Sequence, residues 1–189
     1  GQPSGATTIW LDNMYFYNDG GGGPSEPDVA APDPTQAEAD VISLFSGIYT
    51  DVNVDSWRTA WSSATYEEVD VAGNPTKKYS DMDVVGIETT SSTIDGSAMT
   101  HIHLDVWSAD ITQFSIKLVD FGADGAFCGG DDVEHQLDFP SPTQGRWVGY
   151  DIPLSDFTDL TTTSHMAQYI LVGQPSGATT IWLDNMYFY

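Results

Sequence analysis

The chain has 189 residues and a formal net charge of −23, from 5 Lys and Arg against 28 Asp and Glu. Such a surface repels nucleic acid and anionic membranes. Aromatic residues at 12 % are too many for an acidic disordered chain, so this is a folded protein that suits salt, cations or a neutral partner such as a glycan.

Residues 1–17 read GQPSGATTIWLDNMYFY, and residues 173–189 repeat them letter for letter, an offset of 173 − 1 = 172 residues. The expectation is one full period of a tandem array preceded by the tail of another. Within each copy, TTIWLDNMYFY is rich in β-branched and aromatic residues and reads as a strand, opened by the turn signal QPSG. One sandwich has one slot for such a strand. Residues 1–17 are therefore assigned to the closing strand of a preceding body.

Residues 18–36, NDGGGGPSEPDVAAPDPTQ, form a linker with a flexible Gly half and a stiffer half carrying Pro24, Pro27, Pro32 and Pro34. Its reach is at most roughly 60 Å. Residues 37–189 are the domain. Strands are expected over 39–46, 77–88 with a bulge at Gly86, 100–107, 113–120, 146–152, 166–172 and 179–188. The stretch 57–71 reads as strand or loop. Residues 121–136 read as a long acidic loop and PLSDF as a single helical turn. THIHLDVW alternates, with Ile102, Leu104 and Val106 on one face and His101, His103, Asp105 and Trp107 on the other. Eight to ten short strands without a long helix point to an all-β antiparallel β-sandwich, a jelly roll. The single cysteine, Cys128, excludes an intrachain disulfide framework, and no apolar run is long enough to cross a membrane as a helix.

No nucleophile elbow, P-loop or zinc-protease helix occurs, so catalysis is not expected. Trp57, Trp61, Trp107 and Trp147, with Tyr66 and Tyr79, are candidates for a sugar platform, with Trp57 and Trp61 beside an acidic loop; core packing is the competing reading of each. His101, His103 and Asp105 beside Trp107 fit a hydrogen-bonded structural row, a set of sugar contacts or a transition-metal site. Asp120, Asp124, Asp131 and Asp132 lie among glycines and read as a solvated loop, with a second Ca²⁺ site as the alternative.

The pieces DVISLFSGIYTDV, HIHLDVW, KLVDFGADGAF, WVGYDIPLSDF and TTIWLDNMYFY, in that order, resemble the galactose-binding-like, carbohydrate-binding-module class of β-sandwich found at the C-terminus of secreted marine bacterial polysaccharide-degrading enzymes. The resemblance implies a non-catalytic, extracellular module holding a structural Ca²⁺ between its first and last strands. Asp184, and equally Asp12, is a charge in an otherwise apolar strand, which is costly unless paired or metal-bound. With Ser43, Ser46 and Asp51 it makes the expected Ca²⁺ set; capping of backbone N–H groups at a bulge is the alternative. The family often carries Asp where this chain has Gly47.

Two functions follow. The first is a structural repeat of a secreted filament or adhesin-like stalk, stiffened by Ca²⁺. Its partners are neighbouring copies, joined through the repeated strand by Ile9, Trp10, Leu11 and Tyr15 and by Ile181, Trp182, Leu183 and Tyr187. The alternative is a carbohydrate-binding module of a polysaccharidase, with a neutral or acidic polysaccharide as partner.

Overall fold

The computed structural model describes residues 23–189. The first copy of the repeat, with Ile9, Trp10, Leu11, Asp12 and Tyr15, lies outside the described residues. Nine strands follow: β1 (Ile42–Phe45), β2 (Ser63–Val71), β3 (Asn74–Glu88), β4 (His101–Trp107), β5 (Gln113–Asp120), β6 (Val133–Pro140), β7 (Trp147–Pro153), β8 (Met166–Gln174) and β9 (Thr179–Phe188). The helical content among them is two single 3₁₀ turns, Glu38–Asp40 and Leu154–Asp156, the second being the expected PLSDF turn.

All strand pairings are antiparallel, and the sheet curls on itself in the order β6-β5-β8-β3-β9-β4-β7, with β1 on β9 and β2 on β3. Strand β3 belongs to both layers. Its C-terminal half, Val84–Glu88, pairs with β8, and its N-terminal half, Lys77–Met82, pairs with β9. The corner between them is an irregularity around Asp81, which has φ 51°. Bulges of this kind bend a strand from one layer into the next. The bulge expected at Gly86 is therefore misplaced: Gly86 pairs in regular register with Ile170. Its missing side chain serves another purpose, described below.

The first strand is shorter than expected, because Asp40 N–H bonds back to Ala37 O and β1 finds its partner only along Ile42–Phe45. Strand β6 arises from residues that composition assigns partly to a loop. Its pairing with every residue of β5 turns Val133, His135, Leu137 and Phe139 toward the core. Between the layers lie Tyr79, Ile87, Ile102, Leu104, Phe114, Ile116, Tyr169, Leu171, Ile181, Leu183 and Phe188, each fully buried. The alternation of β4 is as its sequence reads, with Ile102, Leu104 and Val106 in this core.

Strand β9 is central. It pairs with β4 on one edge and with β3 and then β1 on the other, all within its own sandwich. Ile181, Trp182, Leu183 and Tyr187, the residues considered for exchange between bodies, are all buried there. Asn185, at φ 49°, is an extra residue opposite β4 and makes a bulge.

The described part of the linker is not free. Residues 23–36 cross the outer face of the β9-β4-β7 layer. Trp147 Nε1 donates to Val29 O at 2.8 Å, Asn185 Nδ2 to Pro32 O at 2.9 Å, and the Tyr49 hydroxyl to Gln36 O at 2.8 Å. Pro27 and Ala31 are buried. An extended Pro-rich segment bonds none of its own carbonyls, so they remain open to side-chain donors. The described linker residues thus pack against the sandwich. Among the described residues no helix is long and apolar enough to cross a membrane.

Candidate functional site

Alternation along the β6-β5-β8-β3 layer decides what its outer face presents. With Tyr169 and Leu171 inside, β8 turns Gln168, Ile170 and Val172 outward; β5 turns out Ser115, Lys117 and Val119; β3 turns out Val84, Gly86 and Glu88. Trp61 stands on this face, 48 % exposed, at the third position of a turn closed by Ser62 N–H to Thr59 O at 3.1 Å. Phe127, 64 % exposed, reaches the same space from the loop after β5, its ring 5.7 Å from that of Phe121. Together with Glu88, Glu134, Gln168 and Ile170 they line a concavity of about 500 Å³. Its polar rim is ordered: Gln168 Nε2 donates to Glu88 Oε1 at 2.8 Å, and Lys117 Nζ to Glu134 Oε1 at 2.7 Å. A broad ring above a floor of amide, carboxylate and aliphatic groups suits a ligand with both apolar C–H faces and hydroxyl groups.

The residues considered for sugar contact do not gather on one face. Trp61 alone is on this face. Trp57 is turned toward the core, edge-on to Phe45 at 5.6 Å with the Lys77 ammonium 4.7 Å over its ring, so it offers no open platform. Trp107 is 2 % exposed and edge-on to Trp182 at 5.0 Å; a separate small cluster with Val71 has absorbed it. His101, His103 and Asp105 lie on the other layer. His101 stacks on Tyr189 at 4.9 Å and His103 on Tyr187 at 4.8 Å, and segment 32–36 lines the cleft beside His103 and Asp105. Phe127, Gln168 and Glu88 were not singled out from sequence. An isolated aromatic in a Gly-rich acidic loop was the one available signal for Phe127. The carboxylates of that loop shape it instead: Asp131 accepts from Ala123 N–H at 2.7 Å, Asp124 from Ala126 N–H at 2.9 Å, and Asp132 from Cys128 N–H at 2.7 Å.

Beneath the crossing segment sits a buried polar knot. Asp184 Oδ1 accepts the N–H of Asn185 at 2.8 Å, and its Oδ2 accepts Asn74 Nδ2 at 2.5 Å. Asn185 in turn accepts the Ser46 hydroxyl at 3.0 Å and donates to Asp105 Oδ2 at 2.9 Å. Asp51 Oδ1 accepts the Ser43 hydroxyl at 2.6 Å and Ser46 N–H at 3.0 Å. Burial pushes the Asp184 carboxyl up to about 6; the Asn185 N–H opposes this, the Asp105 carboxylate adds to it, Asn74 opposes it and Asp51 adds to it. Burial lowers the His103 imidazole, but the carboxylates of Asp105 and Asp151 outweigh it, so the group is raised above its ordinary value.

Asp184, Ser43, Ser46 and Asp51 are thus gathered around Asn185. Both Asp184 oxygens are occupied by N–H donors, however, and no three His, Cys, Asp or Glu side chains among the described residues are placed to hold one ion. A Cβ at Gly47 would lie 2.9 Å from Asn74 Oδ1, so Asn74 fills the space a side chain there would need.

No family model matches the chain, and no curated protein matches it. Its fold is that of solved carbohydrate-binding modules. The family 30 module of the cellulosomal cellulase Cel9D-Cel44B of Clostridium thermocellum aligns with TM-score 0.60 and 14 % identity over 79 % of this chain and 96 % of that one. A family 29 module complexed with cellulohexaose aligns with TM-score 0.52 and 13 % identity over 78 % of this chain and 89 % of that one. At these identities the likeness is one of fold.

The raised Asp184 carboxyl has a defined effect on stability. Folding tightens this proton, so its contribution is full below about pH 4, the unfolded value, and is lost as pH rises through about 6. The loss is on the order of 3 kcal/mol. Urea unfolding of the natural chain and of Asp184→Asn between pH 4 and pH 7 checks it. The difference between the two curves is expected to shift toward the variant as pH rises, whereas parallel curves contradict the assignment.

Proposed function

We propose that this sandwich is a non-catalytic carbohydrate-binding module of a secreted protein, and that the face carrying Trp61 holds a neutral polysaccharide. The observation that carries the reading is an exposed tryptophan above a concavity floored by Gln168, Glu88 and Ile170. Stacking of an indole on the C–H face of a sugar ring is favourable, and the amide and carboxylates below can hydrogen-bond hydroxyl groups. With a net charge of −23, the protein disfavours an anionic chain and suits a neutral one. The likeness of fold to modules whose solved complexes include cellulohexaose supports the same class of ligand.

Titration calorimetry with cellulohexaose and a soluble β-glucan tests it. Binding by the natural chain is expected, with Trp61→Ala weakening it at least about tenfold, or about 1.4 kcal/mol, and His101→Ala leaving it unchanged. No binding, or equal binding by Trp61→Ala, contradicts the reading.

A second reading rests on the 17-residue identity between residues 1–17 and 173–189. A sequence whose second copy buries Ile181, Trp182, Leu183 and Tyr187 is unsuited to water in its first copy, where Ile9, Trp10, Leu11 and Tyr15 take their places. A preceding body would supply the slot, so glycan-binding sandwiches would form a head-to-tail array outside the cell. Calcium belongs to this reading through Asp184 and Asp51. A divalent ion would relieve their repulsion with Asp105 by displacing the Asn74 amide. Electron microscopy of native material and melting curves with and without EDTA test it together. Filaments and a midpoint lowered by EDTA are expected; isolated bodies and an unmoved midpoint remove the array and the ion respectively.

A further inference from the structure

Gly86 lies in the middle of β3, among residues that otherwise favour strands. Glycine weakens a strand interior, so its presence calls for a reason. It is absent from the glycines with positive φ, so its backbone conformation is open to any residue. It pairs regularly with Ile170, so no bulge requires it. What does require it is the ring above. A Cβ built at Gly86 would fall 2.1 Å from Trp61 Cη2, 2.2 Å from Trp61 Cζ2 and 2.8 Å from Thr59 Oγ1. The benzene end of the indole rests where a side chain would be.

The turn that carries Trp61 is tied to the same residue. Gly86 O accepts the N–H of Thr59 at 3.1 Å, and Gly86 N–H donates to Ser62 Oγ at 2.9 Å. These bonds satisfy both backbone groups of Gly86. The hydroxyls of Thr59 and Ser62 lie 2.8 Å apart, and both residues are buried. From the other side Arg58 donates through Nε to Ala64 O at 2.8 Å and through Nη2 to Ser62 O at 3.1 Å. The turn is therefore held at both ends, and the ring's height above the sheet is set by a missing methyl group.

We propose that Gly86, with the hydroxyls of Thr59 and Ser62, is the positioning seat of Trp61: it fixes the indole over the concavity before ligand arrives. The proposal rests on the carbohydrate reading of this face. Pre-ordering a recognition group lowers the entropy lost on binding, which is how a residue that never touches the ligand controls affinity. The clashes are with side-chain atoms, the far end of the Trp61 ring and the Thr59 hydroxyl, rather than with backbone. Alanine would therefore displace the ring and leave the strand intact.

The test is a double-mutant cycle in the full chain with Gly86→Ala, Trp61→Ala and both together. Its readouts are calorimetry with cellulohexaose, thermal melting, and the indole N–H resonance of Trp61, assigned by its loss in Trp61→Ala. Gly86→Ala is expected to weaken binding about tenfold, to leave the melting temperature unchanged or higher, and to move the Trp61 resonance. In the Trp61→Ala background it is expected to add nothing, because its effect runs only through the ring. An unmoved indole resonance overturns the seat. So does a lowered melting temperature, since the methyl group would then be felt by the sheet, and so does an additive loss in the double variant. If the natural chain binds no glucan, the carbohydrate reading falls, and the resonance decides the seat on its own.

Discussion

The burial of one strand organises this molecule. Strand β9 pairs with β4 on one edge and with β3 and β1 on the other, and from Ile181 to Phe188 its residues are all buried. Its neighbours are non-local in sequence, so the sandwich closes only when the C-terminal strand arrives. A strand so placed would read as wholly apolar if it were regular. Instead it carries Asp184 and Asn185, because the extra residue at the bulge turns backbone groups away from the ladder and they need side-chain partners. Asp184 receives the Asn185 N–H, and Asn185 reaches Ser46, Asp105 and Pro32. The bulge thus ties together β9, β4, the β1 end and the upstream segment.

From this follows the difference between the two outer faces. The β9-β4-β7 face is polar and aromatic, yet segment 23–36 crosses it, held by Trp147, Asn185 and Tyr49. Among the described residues, none crosses the β6-β5-β8-β3 face in this way. It exposes an aromatic ring over an apolar and amide floor; β3 and β8 pair there in regular register, β5 follows β8 up to an irregularity between Val119 and Asp120, and Gly86 lies beneath that ring. A binding surface needs an open face and a rigid group on it, and among the described residues the second face offers both. Similarity to known modules is one of fold, and the proposal for this face rests on the placement of Trp61.

Much of the architecture was legible in the sequence. Period-two alternation located β4 and β5 and assigned the faces of β4 correctly, whereas β9, buried on both faces, was legible through its β-branched and aromatic residues. Strand β6 was partly hidden: Glu134, Gln136 and Asp138 face outward on an edge strand, and their charge masks the inward row. The irregularity of β3 falls at Asp81 rather than at Gly86: glycine is the usual mark of a bulge, and a non-glycine residue with positive φ carries no such mark. The site was less legible than the fold. Trp57, Trp61 and Trp107 are chemically alike, and whether an indole faces core, sheet or water is set by strands distant in sequence. The histidine row is aromatic and polar as sugar contacts would be, but its surroundings come from residues 23–36, which composition marks as a free linker.

Which face meets the ligand is the claim on which the account stands. Titrating the isotope-labelled chain with cellulohexaose and following amide and indole resonances tests it residue by residue. The account predicts shifts at Trp61, Gly86, Gln168, Ile170 and Phe127, with His103, Asp151 and Tyr187 unmoved. Shifts confined to the residues beneath segment 23–36, or no shifts at all, would contradict it.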